Sequence, residues 1–202
     1  MTGPPVAPQQ PVARVVATVG TDHHPFDRLI GWLDHWAEAH PDVPMLVQVG
    51  TTPPGPARPQ VRYVEMLGYH DLIAAMGAAD VVVAQGGPGG ITDARGVGRL
   101  PVVVPRRGSL GEHVDDHQVR FSAWMAARGL IELASDEAEL HRLLDVAVAD
   151  PGALRIAPDA GSVTETVERF RAIVDPLLAE RAARSGTSRS GWVRRRHGDE
   201  AP

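Results

Sequence analysis

Runs of β-branched residues alternate along the chain with segments whose apolar positions recur at helical spacing. Residues 12–19 predict a buried strand, ended by Gly20 and Thr21. Residues 26–39 carry Phe26, Leu29, Ile30, Leu33, Trp36 and Ala37 on one helical face. Pro41 and Pro44 close that helix, and residues 45–49 predict a second strand. Four prolines and a glycine within residues 51–59 mark a loop. Residues 61–66 predict a third strand, and 70–79 a helix with Leu72, Ile73 and Met76 inward. An apolar run at 81–84 breaks into Gln85-Gly86-Gly87-Pro88-Gly89-Gly90, and residues 91–97 read as the start of a helix. A further apolar run spans 101–105. Residues 113–128 predict a helix with Phe121, Trp124 and Met125 inward, and Gly129 stands where a C-cap glycine would. Residues 130–133 predict a last short strand. Asp136 and Glu139 have capping-box spacing ahead of a helix at 137–149. Ser162 and Glu165 repeat that signature before an apolar face from Val163 to Leu178.

About six strands with matching helices predict an α/β fold, a doubly wound parallel Rossmann-like sheet with helices on both faces. Ligands of such sheets bind beyond the carboxyl ends of the strands, where the strand order switches. Residues 1–11, rich in Pro and Gln, predict a disordered lead-in. Residues 12–180 form one domain, and 181–202 a disordered Arg/Ser-rich tail. That tail is either simply solvated or, with Trp192, a weak anchor to an anionic surface.

Composition narrows the chemistry. The 202 residues contain no Cys, which removes disulfides, thiolate nucleophiles and thiolate metal sites. All 20 basic residues are Arg, which removes a Schiff-base lysine and a P-loop lysine. A net charge of −5 argues against nucleic acid as a partner. No apolar run is long enough to span a bilayer, and no signal sequence opens the chain, so a cytoplasmic location is expected.

The glycine turn after the fourth strand carries the strongest signal. Glycines bring backbone N–H groups close to a ligand, and the following helix adds its positive end, which suits a diphosphate. Tight packing is the competing explanation of such glycines. Asp93, expected in the first turn of that helix, either complements the helix dipole or accepts hydrogen bonds from a ribose diol. His113 and His117 share a helical face; polar contact with a ligand through Asp116, His117 and Gln118 is favoured over a metal site, for which a third ligand is not evident. His23 and His24 form either an exposed turn or a proton or phosphate contact at the cleft. Arg95, Arg99, Arg106 and Arg107 either add positive field near a diphosphate or lie on the solvated surface. The absence of a Gly-x-Ser-x-Gly elbow weakens a serine-hydrolase reading.

Taken together, these residues resemble the C-terminal, donor-binding half of glycosyltransferase family 28. The likeness runs over about residues 13–150. It begins with Val16-Ala17-Thr18-Val19-Gly20-Thr21 and Phe26-Asp27-Arg28-Leu29-Ile30. It continues through the glycine turn, Asp93, Gly98, Pro101, Pro105 and Asp116-His117-Gln118. The nearest likeness is to single-domain subunits of exopolysaccharide synthesis and of the two-part enzyme that adds the second N-acetylglucosamine to dolichol diphosphate. The family often has His at Gln85 and Glu at Asp93. The resemblance implies one half of a GT-B fold and inverting, metal-independent transfer from a UDP-sugar, with no cofactor. It implies that Gly20 and Thr21 line the cleft, and that Gln85, Gly86, Gly87, Gly89, Gly90 and Ile91 form the diphosphate turn. Asp93 would hold ribose, and Asp116, His117 and Gln118 the sugar. His24 is the candidate base in this chain. The resemblance implies that a membrane-attached partner would supply the acceptor half and the family's usual general base, with the chain peripheral at the inner face of the plasma membrane. Three rivals remain: a non-catalytic nucleotide-sugar-binding subunit, a UDP-N-acetylglucosamine epimerase, which needs both domains in one chain, and a structural domain whose glycines merely pack.

Overall fold

The structure, a computed structural model, describes residues 12–159. Its elements run β1 Val15–Thr18, α1 Asp27–Ala39, β2 Met45–Gln48, β3 Val61–Val64, α2 Tyr69–Ala78, β4 Val81–Gln85, α3 Pro88–Gly96, β5 Val102–Val104, α4 His117–Ala126, β6 Glu132–Leu133 and α5 Glu137–Ala149. The strands form one sheet in the order β3-β2-β1-β4-β5-β6, every neighbouring pair parallel.

The central strands read as near-continuous valine because both of their faces are covered. Val15, Ala17, Val81 and Val83 pack under Leu29, Leu33 and Trp36 of α1 and Leu140 and Leu144 of α5. Val16 and Val82 face the other way, against Met76, Ala79 and Ala94. On the same side Ile91, Val103 and Ile131 meet Phe121 and Met125. The sheet is therefore doubly wound, as expected. Its order turns back between β1 and β4, which opens a crevice beyond their carboxyl ends. The expected cap of α5 forms, with Asp136 Oδ1 accepting from Glu139 N at 2.9 Å.

Three expectations need correction. The helix expected over 113–128 begins only at His117; Gly108–Leu110 is a 3-10 turn, and the residues up to Asp116 are bent chain. The cause is local competition. Asp115 Oδ1 accepts from His117 N at 2.9 Å and His113 Nδ1 from Val114 N at 2.9 Å, so side chains of this stretch take up its own backbone donors. Second, Trp124 is half-exposed beneath the Arg128 guanidinium rather than inward; the buried residues of α4 are Gln118 and Ser122. Third, α3 begins at Pro88, so Asp93 lies beyond the first turn and does not complement the helix start. The expected lead-in at 1–11, the apolar face beyond Ser162 and the Arg-rich tail lie outside the described residues.

Candidate functional site

The two glycine turns expected to face each other do so. Gly20, at φ 78°, follows β1, and a Cβ there would lie 2.9 Å from Gln85 Nε2. A Cβ at Gly87 would collide with the same amide. Both glycines therefore leave room for the Gln85 side chain, which crosses the crevice between the turns. Gly86 is bare for another reason: a Cβ there would come 2.7 Å from Ser122 Oγ on α4. Gly90 packs ordinarily on Ala84 and Thr18, whereas the space around Gly89 is open. Three of these glycines thus serve packing, as the competing explanation held, and Gly89 alone of the turn faces free space.

α3 starts at this point. Its orphan amides are those of Gly87, Gly89 and Gly90, since Pro88 has none and the amide of Ile91 falls to the first intrahelical bond. That removes Ile91 from the amides free to meet a ligand; its side chain is core. Gln85 Oε1 and Ser122 Oγ are buried beside the turn with no hydrogen-bond partner among the described residues. Orphaned buried oxygens of this kind ask for a donor that the described residues do not supply. Asp93, one and a half turns along α3, accepts from Tyr69 Oη at 3.3 Å. The Asp93 charge, then burial, pushes the tyrosine pKa up.

The opposite wall is built around Arg106, whose burial the sequence did not announce. Arg106, fully buried, donates to the carbonyls of His24 (2.7 Å), Val19 (2.9 Å) and Glu112 (3.0 Å), and its guanidinium lies 4.6 Å from the centre of the Phe26 ring. It stitches the β1–α1 loop to the β5–α4 loop. Burial pushes its pKa down, opposed by the charges of Asp22 and Glu112. The other arginines are also committed: Arg99 is buried on Gly77 O, Arg95 holds Leu130 O and Asp159, and Arg107 holds Ser135 O. All four are thus held in place by the described residues, Arg107 at an exposed position.

Asp22 is the hub of the histidine cluster. Its Oδ1 accepts from His24 N at 2.8 Å and Nδ1 at 2.6 Å, and Oδ2 lies 3.1 Å from His113 Nε2. Burial alone would raise its pKa. The two His24 bonds, with the charges of His113 and Arg106, outweigh that and hold it at about 2. A Nδ1 engaged by a carboxylate leaves His24 Nε2 as the basic nitrogen. Thr21 is exposed, and His23 stands mostly in solvent. On the β5 side, Asp116 is engaged by Gly108 N, His117 by Asp115, and the buried Gln118 Oε1 accepts from Arg106 N at 3.1 Å. Gln118 thus supports the wall with its oxygen. The signal for Asp22 was present in the sequence as an aspartate two residues ahead of a histidine in a turn; nothing in the sequence marked Ser122 or the burial of Arg106.

Residues 15–168 match the family described as the glycosyltransferase family 28 C-terminal domain. The chain belongs to that family. Comparison with curated proteins gives no match. Among solved structures, the kitacinnamycin glycotransferase is 21% identical with a TM-score of 0.52, covering 71% of this chain and 37% of its own. The calicheamicin glycosyltransferase CalG4 is 19% identical with a TM-score of 0.52, covering 95% and 46%. The UDP-GlcNAc 2-epimerase of Methanocaldococcus jannaschii is 10% identical with a TM-score of 0.52, covering 80% and 46%. Similarity at these identities carries the fold alone: this family 28 domain has the architecture of one half of a GT-B glycosyltransferase. The chain spans less than half the length of these structures. No described helix is long and apolar enough to cross a membrane.

Proposed function

We propose that this family 28 domain is the donor-binding half of an inverting, metal-independent glycosyltransferase. It moves a sugar from a UDP-sugar to a lipid-linked glycan acceptor in polysaccharide or glycoconjugate biosynthesis. A membrane-attached partner subunit supplies the acceptor half. The observation that carries the reading is the open space over Gly89 at the amino end of α3, in the switch-point crevice. Free amides and the positive helix end meet the diphosphate there without a cation. The Gln85 amide turns its donor to the same phosphates. Gly20 and Thr21 line the facing wall. Asp93, with Tyr69 on its carboxylate, takes the ribose hydroxyls. Asp116, His117 and the Gln118 amide nitrogen take the sugar.

In the transfer step an acceptor hydroxyl oxygen attacks the anomeric carbon from the face opposite the diphosphate. The bond from that carbon to the diphosphate oxygen breaks, and the electron pair leaves on UDP. Amides already aimed at the diphosphate stabilise the charge that develops on it. His24, oriented by Asp22, takes the hydroxyl proton on Nε2.

A thermal-shift screen against UDP, GDP, dTDP and ADP in EDTA tests the donor site. The expected result is a shift with UDP, reduced in Asp93→Ala; no shift with any nucleotide would return the domain to a purely structural role. Co-expression with candidate membrane partners tests transfer. Nucleotide binding with no transfer by any pair would assign a non-catalytic nucleotide-sugar-binding subunit.

A further inference from the structure

We propose that His113, Asp115 and His117 form a binding site for one divalent transition-metal ion of the zinc class, separate from the diphosphate site. The three lie at alternate positions where the bent chain after β5 runs into His117, the first residue of α4. One ligand atom from each falls within 4.8 Å of the others. Two metal–ligand bonds of about 2.1 Å span at most about 4.2 Å, so small side-chain rotations close the site. The imidazoles of His113 and His117 meet edge-on, with centroids 4.5 Å apart at 82°, which lets both rings converge on one point without stacking.

The surroundings orient the ligands. Asp22, from the distant β1–α1 loop, reaches His113 Nε2 at 3.1 Å. A carboxylate on one ring nitrogen directs the other to a metal and raises its basicity. At Nδ1 the ion replaces only a local bond from the exposed Val114 N–H at 2.9 Å. The backbone of this stretch is held at both ends, by Arg106 on the Glu112 carbonyl at 3.0 Å and by Asp116 on Gly108 N at 2.8 Å. Two imidazoles and a carboxylate, with no thiolate, suit Zn²⁺, Co²⁺, Ni²⁺ or Cu²⁺ and not Mg²⁺ or Ca²⁺. The neighbouring group of Asp22, His23 and His24 is a poorer candidate, because both Asp22 oxygens are taken, by His24 and His113, and His23 stands in solvent, whereas Asp115 commits only Oδ1, and that to its fellow ligand His117. An ion on His117 Nδ1, the nitrogen that faces Asp115, braces the amino end of α4 and leaves His117 Nε2, with Asp116 and Gln118, to meet the sugar.

The test uses the full chain, without a histidine tag, stripped in EDTA and titrated with Co²⁺. Expected is saturable uptake of one ion per chain with visible d–d absorption, displaced by Zn²⁺ and not by Mg²⁺. Asp22→Asn should weaken uptake about 10–100-fold through lost orientation of His113. His113→Ala and His117→Ala should each weaken it at least as much, and His35→Ala should leave it unchanged. Absence of uptake by the parent chain, or uptake that survives in the His113→Ala/His117→Ala double variant, overturns the site. Should that variant not fold, pulsed EPR of the Cu²⁺-loaded parent chain decides: coupling to two imidazoles supports the site, and to one or none overturns it. UDP titration in EDTA reads the donor site independently, so either proposal can fail alone.

Discussion

A substitution at Gly89 separates ligand binding from packing more cleanly than any other in the turn. Alanine there meets no neighbour, whereas alanine at Gly87 must expel the Gln85 amide. Gly89→Ala should therefore stabilise the fold by up to about 0.5–1 kcal/mol, through the backbone entropy glycine loses in a helix. It should also weaken UDP binding tenfold or more, about 1.4 kcal/mol, by standing between the amides and the phosphates. Gly87→Ala should destabilise by about 1–3 kcal/mol through overpacking. Urea unfolding and UDP calorimetry on both variants check this; unchanged affinity in Gly89→Ala would leave the turn a packing device. Asp22 gives a second prediction at this scale. Its folded pKa, about 2, lies below the ordinary 3.8. A lowered carboxylate contributes stability that is complete above the unfolded value and is lost as pH falls through the folded one. In EDTA, the parent chain should thus lose about 2 kcal/mol between about pH 5 and pH 2 that Asp22→Asn does not lose over the same range. Parallel acid limbs in the two proteins would show that Asp22 is not held in this way.

Among the elements, the loops after β1 and β5 depend on one buried cation. Removing Arg106 strands three carbonyls bonded at 3.0 Å or less and opens a cavity against Phe26. Arg106→Met should cost about 3–5 kcal/mol in urea unfolding, since each buried acceptor left unpaired costs about 1–3 kcal/mol. A loss below about 1 kcal/mol would mean that the loops hold themselves. This residue also marks where the sequence stops being legible. Valine runs and helical spacing located the six strands and five helices of the described residues, because burial on both sheet faces writes itself into periodicity. The order of motifs was legible too, and with it the crevice. The start of α4 was not, because His113 and Asp115 take up the amides of Val114 and His117 that a helix would otherwise organise. Nor was the inward face of α4, where Gln118 and Ser122 stand in place of the expected Trp124. Long-range polar packing of that kind has no period. The same holds for the glycines: their presence was plain, but that Gly20 and Gly87 make room for Gln85 depends on a contact between two loops far apart in sequence.

For the molecule as a whole, the decisive question is which half-reactions one sheet can support. Every proposed donor contact comes from the turns after β1 and β4, the amino ends of α3 and α4, Asp93 midway along α3, and Tyr69 at the start of α2. These elements flank one parallel sheet, so the proposed donor site needs no second domain. Under the proposed function transfer needs one, to hold the acceptor against the facing side of the sugar. The chain alone should therefore gain about 2.7 kcal/mol of unfolding free energy with UDP at a hundred times its dissociation constant. The gain should be equal in EDTA and in Mg²⁺, since the helix end and bare amides carry the diphosphate. Asp93→Ala should lose most of it, while its stability without nucleotide stays within about 0.5 kcal/mol, as expected for a partly exposed side chain bonded only to an exposed tyrosine. Transfer from UDP-sugar should remain at background until the partner is added. Denaturant titrations under these four conditions, with radiolabelled transfer alongside, check the set. A gain that appears only with Mg²⁺ would replace the helix end by a metal as the holder of the diphosphate.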